Sequence, residues 1–472
     1  MLFNSISFLF FLPMVLAVVA LLPHPPKRWR NGFLLLASYF FYGCWDWRFL
    51  GLLIGTTIID FWVGKTIFVT ADPRRRRRTL LLSICANLGV LGFFKYYNFF
   101  VASAVSLLGS LGLHPSVPAL SIILPVGVSF YTFQSMSYTI DVYRRKTEPA
   151  HSFWDFALYV AYFPQLVAGP ISRKADLLPQ LIAPAKVTLE RVNVGLTLII
   201  LGLTKKVLIA DLLAPQVERL FAHPGHASSG MLLRGAYFFT FQIYCDFSGY
   251  SDIARGVSEL FGIHLCINFN QPYLSQSITE FWRRWHISLS SWLRDYLYIP
   301  LGGNRHGERK TYRNLMLTML IGGLWHGANW TFVAWGGLHG LYLAVERVFG
   351  IGKGEPVVPS NPLWRWTRRA ASTVVTFHLA ALAWIFFRAP NFAIAFQYIR
   401  GIFRFNHLGA VGIWPLVVGA AVLAIDIPQS ASGEHAVFLR APWWLQSPVY
   451  AALCFAMLLY GGREIPFIYF QF

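Results

Sequence analysis

Long apolar runs separated by short basic breaks dominate this chain, and they leave it very few possible folds. Leu2–Leu22, Asn31–Val69, Thr79–Leu113, Ser121–Val142, Val194–Leu213, Leu315–Val345 and Trp443–Tyr460 are continuous rather than alternating at period two, which selects helices over a transmembrane barrel. Hydrophobic residues make up 56% of the 472 positions and charged ones 13%, about half the charge of a soluble domain. At about 20 apolar residues per span, an all-α, polytopic integral membrane protein with roughly 10–12 transmembrane helices is expected, together with re-entrant and amphipathic surface helices. It reads as a single membrane domain over residues 1–472, with a core at 121–350 and peripheral helices at 1–113 and 364–472.

The net charge of +19 is concentrated at Lys27, Arg28 and Arg30, at Arg74–Arg78, at Arg144–Lys146 and at Arg305, Arg309, Lys310 and Arg313. Short basic loops mark the cytoplasmic face, so topology accounts for most of this charge without a nucleic-acid partner. Leu2–Leu22 lacks a preceding basic region and a small-residue cleavage site; it is expected to be a first membrane helix with an outward N-terminus rather than a removable signal. Five scattered cysteines with no zinc spacing read as small buried hydrophobes, and no metal site is expected.

Asn31–Val69 begins and ends at basic clusters, so it predicts two spans turning near Trp45-Asp46-Trp47-Arg48. Thr79–Leu113 and Ser121–Val142 predict a second pair around a breaker at His114-Pro115-Ser116. Phe153–Gly169 ends with two prolines around a glycine, the pattern of a short or re-entrant element that must be covered by protein. Lys205, Lys206 and Asp211 interrupt the span Val194–Leu213 and are expected to snorkel or to face a cavity. Asp246 and Asp252, six positions apart, do not share a helical face and read as polar groups packed at a helix end. Gly350–Asn361 is a polar surface loop, and Ala370–Phe387, Leu408–Ile425 and Trp443–Tyr460 supply further spans.

Ser277-Ile-Thr-Glu280 has the form of a capping box. From there Trp282, Trp285, His286, Leu289, Trp292, Leu293 and Tyr296 recur at helical spacing, predicting an amphipathic helix of about 20 residues at the membrane surface with His286 on its buried face. Gly322-Gly-Leu-Trp-His-Gly327-Ala-Asn-Trp330 then places His326 between glycines and tryptophans inside an apolar run. An ionisable group there is costly and marks a functional site by default; a structural, hydrogen-bonded histidine is the plainer alternative. The three glycines allow close approach of backbone or substrate, and Trp325 and Trp330 can exclude water. His339 lies thirteen positions on, about 20 Å along an unbroken helix and on another face, which excludes it from the site. His286 and His326 lie in separate elements and can converge as a base and its partner. A proton-coupled transporter using these histidines as a relay needs an inverted repeat, and the sequence shows none. Nucleotide-binding, serine-hydrolase and metalloprotease signatures are also missing.

Phe281-Trp-Arg-Arg-Trp-His286-Ile-Ser-Leu-Ser290, forty positions before Leu324-Trp-His326-Gly327, resembles the signature pair of the membrane-bound O-acyltransferases. Tyr244-x-Asp246-Phe-Ser-Gly-Tyr-Ser-Asp252, Leu301-Gly-Gly-Asn-Arg305 and Pro466-Phe-Ile-Tyr-Phe-Gln-Phe472 are similar to the branch that serves bacterial alginate O-acetylation, and the likeness runs nearly end to end. The resemblance implies a funnel-shaped core with His326 as catalytic histidine and His286 at a second position, occupied by asparagine or aspartate in many eukaryotic members. It implies acetyl-CoA as a cytoplasmic donor, drawn by basic loops and by Arg283 or Arg284, with Trp325 near it. It further implies a polysaccharide acceptor reached through an extracytoplasmic, serine-hydrolase-like partner protein, and a location in the bacterial inner membrane. Acceptors such as alginate, peptidoglycan, cellulose or teichoic acid remain open on these residues. His286 either orients His326 or holds the thioester carbonyl, for which backbone amides near Gly327 are equal candidates.

Overall fold

The computed structural model describes residues 1–21, 27–113, 115, 117–351, 361–461 and 465–468. The His114-Pro-Ser116 breaker, most of the loop at 350–361 and the tail at 469–472 therefore lie outside the described residues, wholly or in part. Within them helices are the regular secondary structure, and there is no strand. It divides into two compact units, one of Met1–Gly195 with Ala254–Cys266 and one of Leu196–Ile253 with Ile267–Phe472.

The first unit holds α1 (Ile6–Leu21), α2 (Lys27–Asp46), α3 (Arg48–Val69), α4 (Pro73–Leu91), α5 (Tyr97–Ser110), α6 (Val128–Tyr143), α7 (Phe153–Ala161), α8 (Phe163–Leu166) and α9 (Lys174–Ile182), and the start of α10 (Leu189–Leu203). The expected turn at Trp45–Arg48 is present between α2 and α3. Pro73–Ser110 is one helix of 38 residues with a π-helical turn at Gly92–Tyr96. Its expected partner is shorter than the apolar run, because Ser121–Gly127 is not helical and α6 starts only at Val128.

The stretch 156–169, which carries the break, is buried, and side chains satisfy backbone groups at the break, as a broken helix away from water requires. Gln134 and Gln165 both donate to the Tyr159 carbonyl, at 2.8 and 2.9 Å, and the Phe163 amide donates to Ser38 Oγ at 3.2 Å. Phe163 then fills an aromatic core with Phe11 and Phe41, at ring distances of 5.3 and 5.5 Å.

The second unit holds the rest of α10, α11 (Asp211–Ala222), most of α12 (Ser229–Glu259), α13 (Ile278–Arg284), α14 (Ile287–Leu293), α15 (Glu308–His326), α16 (Trp330–Val348), α17 (Pro362–Arg388), α18 (Phe392–Ile402), α19 (Trp414–Ser432) and α20 (Trp443–Tyr460). Lys205 and Lys206 do not snorkel. They sit buried in a π-helical stretch, Thr204–Ala210, where Lys205 pairs with Asp252 at 2.8 Å and Lys206 with Asp211 and Asp246 at 2.8 and 2.7 Å. Asp246 and Asp252 lie inside α12, not at its end, and each answers a different lysine. Lys206 and Asp211, with Asp246, Glu218 and Arg388, also line a cleft of about 380 Å³, so the cavity alternative holds for that pair.

Among the described residues five helices combine the length and composition needed to cross a bilayer: Arg48–Val69, Pro73–Ser110, Pro362–Arg388, Trp414–Ser432 and Trp443–Tyr460. Other apolar stretches fall short of that joint standard among the described residues because they are short, as in α1, or carry buried polar groups, as in α12. The cysteines also differ from expectation: Cys245 is buried, whereas Cys44, Cys85, Cys266 and Cys454 are exposed on the chain.

Candidate active site

The cap that opens the tryptophan-rich segment is in place. Ser277 Oγ accepts from the Glu280 amide at 3.0 Å, while Glu280 reaches back to the Gln276 amide at 2.8 Å. Glu346 of α16 receives the Ile278 amide and, at 2.9 and 2.8 Å, the Thr279 amide and hydroxyl, which ties the start of α13 to α16.

The expected helix of about 20 residues does not continue. It ends at Arg284, and His286 stands in the left-handed region, φ 43° and ψ 54°, before α14 begins. The reason is tertiary. In an unbroken helix the Arg284 carbonyl would accept from Ser288 and the Ile287 amide would donate to Arg283. Here the segment at Asn268–Asn270 intercepts these groups: Ile287 donates to the Asn268 carbonyl and Asn270 to the Arg284 carbonyl, each at 2.9 Å, and the Ser288 amide donates to Asn268 Oδ1 at 3.2 Å. These bonds offset the left-handed backbone, which costs about 1–2 kcal/mol for a residue with a Cβ.

The break leaves Trp285 and His286 both 0% exposed. The His286 ring packs edge-on to Phe247 at 4.7 Å and lies 6.2 Å from Phe269, and its Nδ1 is 3.2 Å from Asn268 Oδ1.

His326 is the last residue of α15 and is 2% exposed. The chain reverses directly after it. A Cβ on Gly327 would lie 2.1 Å from the Phe332 ring, and one on Gly323 would lie 2.3 Å from the Phe332 carbonyl. These glycines therefore serve the close packing of α15 against α16, rather than approach of a substrate. Asn329 caps α16 by accepting from the Thr331 amide at 3.0 Å, and it donates to the Pro390 carbonyl at 2.7 Å; Thr331 Oγ1 donates to the Ala389 carbonyl at 3.2 Å. The hairpin is thus pinned to the end of α17.

The two breaks bring His286 and His326 to a ring separation of 6.2 Å. Trp325 touches both, at 6.0 and 5.0 Å. Trp335 and Phe387 complete the wall around His326 at 5.0 and 5.6 Å, and Trp384 stacks on Trp335 at 5.4 Å. Trp330, expected to exclude water, is 52% exposed; Trp335 takes that place. Arg283 is exposed, and the half-buried Arg284 pairs with Glu280 at 2.7 Å.

The grounds for separating His339 from His326 do not hold, since α15 and α16 fold back on each other rather than forming one helix. Both imidazoles stand edge-on to Trp335 at 5.0 Å. His339 Nδ1 accepts from the Trp282 indole at 3.3 Å, so it is engaged with α13.

Asn268, Trp335, Trp384 and Phe387 were not legible as site residues in the sequence. Trp335 shares a helical face with His339 by spacing and so carried a weak signal, whereas nothing around Asn268 marked it. The assembled centre holds two imidazoles in an apolar, aromatic shell, where hydrogen bonds and developing charge interact strongly. Such a pair can accept a proton from a hydroxyl and return it to a leaving group.

The family model of the membrane-bound O-acyltransferases matches residues 128–385, a span that includes both histidines. A chain described as a probable alginate O-acetylase of Pseudomonas aeruginosa is 40% identical over the whole of both chains. This protein belongs to the membrane-bound O-acyltransferase family. Two more distant similarities fall in the same chemistry. A peptidoglycan O-acetyltransferase of Helicobacter pylori is 38% identical over 86% of this chain and 80% of the relative. A teichoic acid D-alanyltransferase of Streptococcus thermophilus is 29% identical over 56% of this chain and 68% of the relative. As a membrane-bound O-acyltransferase the chain is an enzyme, and the permease reading of the histidine pair is set aside.

Proposed function

We propose that this enzyme transfers an acetyl group from cytoplasmic acetyl-CoA to a hydroxyl on the far side of a bacterial inner membrane, leading to O-acetylation of an exopolysaccharide such as alginate. The observation that carries the reading is the buried pair His286 and His326, 6.2 Å apart in an aromatic shell. The 40% identity to a chain described as a probable alginate O-acetylase supports the acceptor class.

In the proposed reaction His326 takes the proton of the acceptor hydroxyl as its oxygen attacks the thioester carbonyl. The carbon–sulfur bond then breaks, and the CoA thiolate leaves with that proton. The exposed Arg283 and the cytoplasmic basic loops attract the phosphates of CoA, while Arg284 contributes on release from Glu280 and Trp325 packs near the thioester. A periplasmic, serine-hydrolase-like partner carries the acyl group on to the polymer. The whole chain acts as one catalytic domain, centred on residues 121–350.

Purified protein with labelled acetyl-CoA and an oligosaccharide or partner serine as acceptor should release CoA and acetylate the acceptor. Failure of the wild type to do either would overturn the reading. Peptidoglycan is the second acceptor to test, because a relative of that named activity is 38% identical; acetylation of muramyl glycans in preference to uronates would select it.

A further inference from the structure

Two hydrogen bonds, one buried and one partly buried, set the tautomers of His286 and His339, and they set them oppositely. Asn268 Oδ1 receives the Ser288 amide at 3.2 Å and the Ser288 hydroxyl at 2.9 Å. A backbone N–H can only donate, so the Asn268 atom at that point is its oxygen and not its amide nitrogen. The nitrogen is turned instead to Ser251 Oγ at 3.3 Å. The same Asn268 oxygen lies 3.2 Å from His286 Nδ1. It carries no proton, so Nδ1 must supply one, which leaves Nε2 of the neutral ring with its lone pair. At His339 the partner is the Trp282 indole N–H, which also only donates. His339 Nδ1 is therefore the acceptor, and its proton sits on Nε2.

We infer that Asn268 is a positioning residue that locks His286 as the Nδ1–H tautomer, making its Nε2 a proton acceptor rather than a donor to the thioester carbonyl. The inference rests on the acyl-transfer reading and removes one of the two roles His286 could have in it, that of donor to the thioester carbonyl. With Nδ1 engaged by Asn268, Nε2 is the proton-accepting atom of the neutral ring, and the His326 ring stands 6.2 Å away between centroids, too far for a direct hydrogen bond between the two imidazoles. Asn268 thus acts through His286, and His286 and His326 stand in the same aromatic shell as two separate proton acceptors. Donors to the thioester oxygen come from elsewhere, with the backbone after His326 the nearest candidate.

The test is nitrogen-15 spectroscopy of the full-length protein in lipid with labelled histidine, assigned by loss of signal in His286→Gln and His339→Gln. His286 should show a protonated Nδ1 and an unprotonated Nε2, and His339 the reverse. A protonated Nε2 on neutral His286 overturns the proposal. The second arm reads CoA release against pH. Asn268→Asp keeps the acceptor and adds a negative charge that favours the His286 imidazolium. Turnover should stay within a few-fold of wild type, and the acidic limb of the profile should move to higher pH. Asn268→Leu removes the acceptor and should lower kcat by about 100-fold with KM for acetyl-CoA unchanged. An unshifted profile in Asn268→Asp, or full kcat in a folded Asn268→Leu, overturns the assignment. If Asn268→Leu does not fold, the Asp variant and the spectra still decide it. A wild type that releases no CoA would sink the acyl-transfer reading and leave the tautomer result standing.

Discussion

Two helix breaks carry the two histidines, and they are made by different means. The reversal after His326 is local: a glycine that tolerates no side chain against Phe332, followed by an asparagine that caps the next helix. The break at His286 contains no glycine or proline, and it exists because the Asn268–Asn270 segment takes the hydrogen bonds that would have closed the helix. One break is written where it occurs, and the other is written some twenty residues away. The approach of two buried histidines can therefore depend on a segment that contributes no side chain with acid–base chemistry.

This comparison can be broken in order of effect. Replacing His326 by alanine should remove CoA release by about 10³-fold or more while leaving the helical content unchanged, since a general base contributes about 10²–10⁴. Retention of activity would show that His326 is structural and that the hairpin carries nothing but packing. Gly323→Ala should destabilise the protein by about 1–3 kcal/mol, because the added methyl meets backbone rather than a movable side chain. Thermal unfolding in detergent reads this, and an unchanged midpoint would mean that α15 and α16 slide freely.

Smaller effects sharpen the contrast. Asn329→Ala should cost about 1 kcal/mol for the lost cap, with some further loss from its bond to Pro390. Ser277→Ala removes a cap of the same kind from α13, again worth about 1 kcal/mol. It should change turnover less than Asn329→Ala does, because Glu346 still holds the start of α13. The reverse order in CoA release would show that α13, not the hairpin, is the weaker support of the site.

Much of the fold was legible where chemistry is local. The turn at Trp45–Arg48, the cap at Ser277 and the covered break near Pro164 all follow from residues at the spot. The tryptophan stripe was legible as buried but misleading as one helix, because Phe281, Trp285, Leu289 and Trp292 keep helical spacing across the break. Periodicity cannot register a backbone interruption that leaves the pattern intact. His339 was set apart by helix arithmetic that the hairpin invalidates, although its bond to Trp282 engages it with α13.

The sequence by itself determined the environment: apolar runs of span length require backbone groups to be satisfied internally, and that demands helices. It also determined that histidines placed in such runs are costly enough to mean something. Only the tertiary structure decided which lysine answers which aspartate, which indole faces which imidazole, and that His286 leaves the helix at all. Those are hydrogen bonds and ring contacts between distant segments, and no local pattern encodes the partner of a group that the chain reaches only after folding.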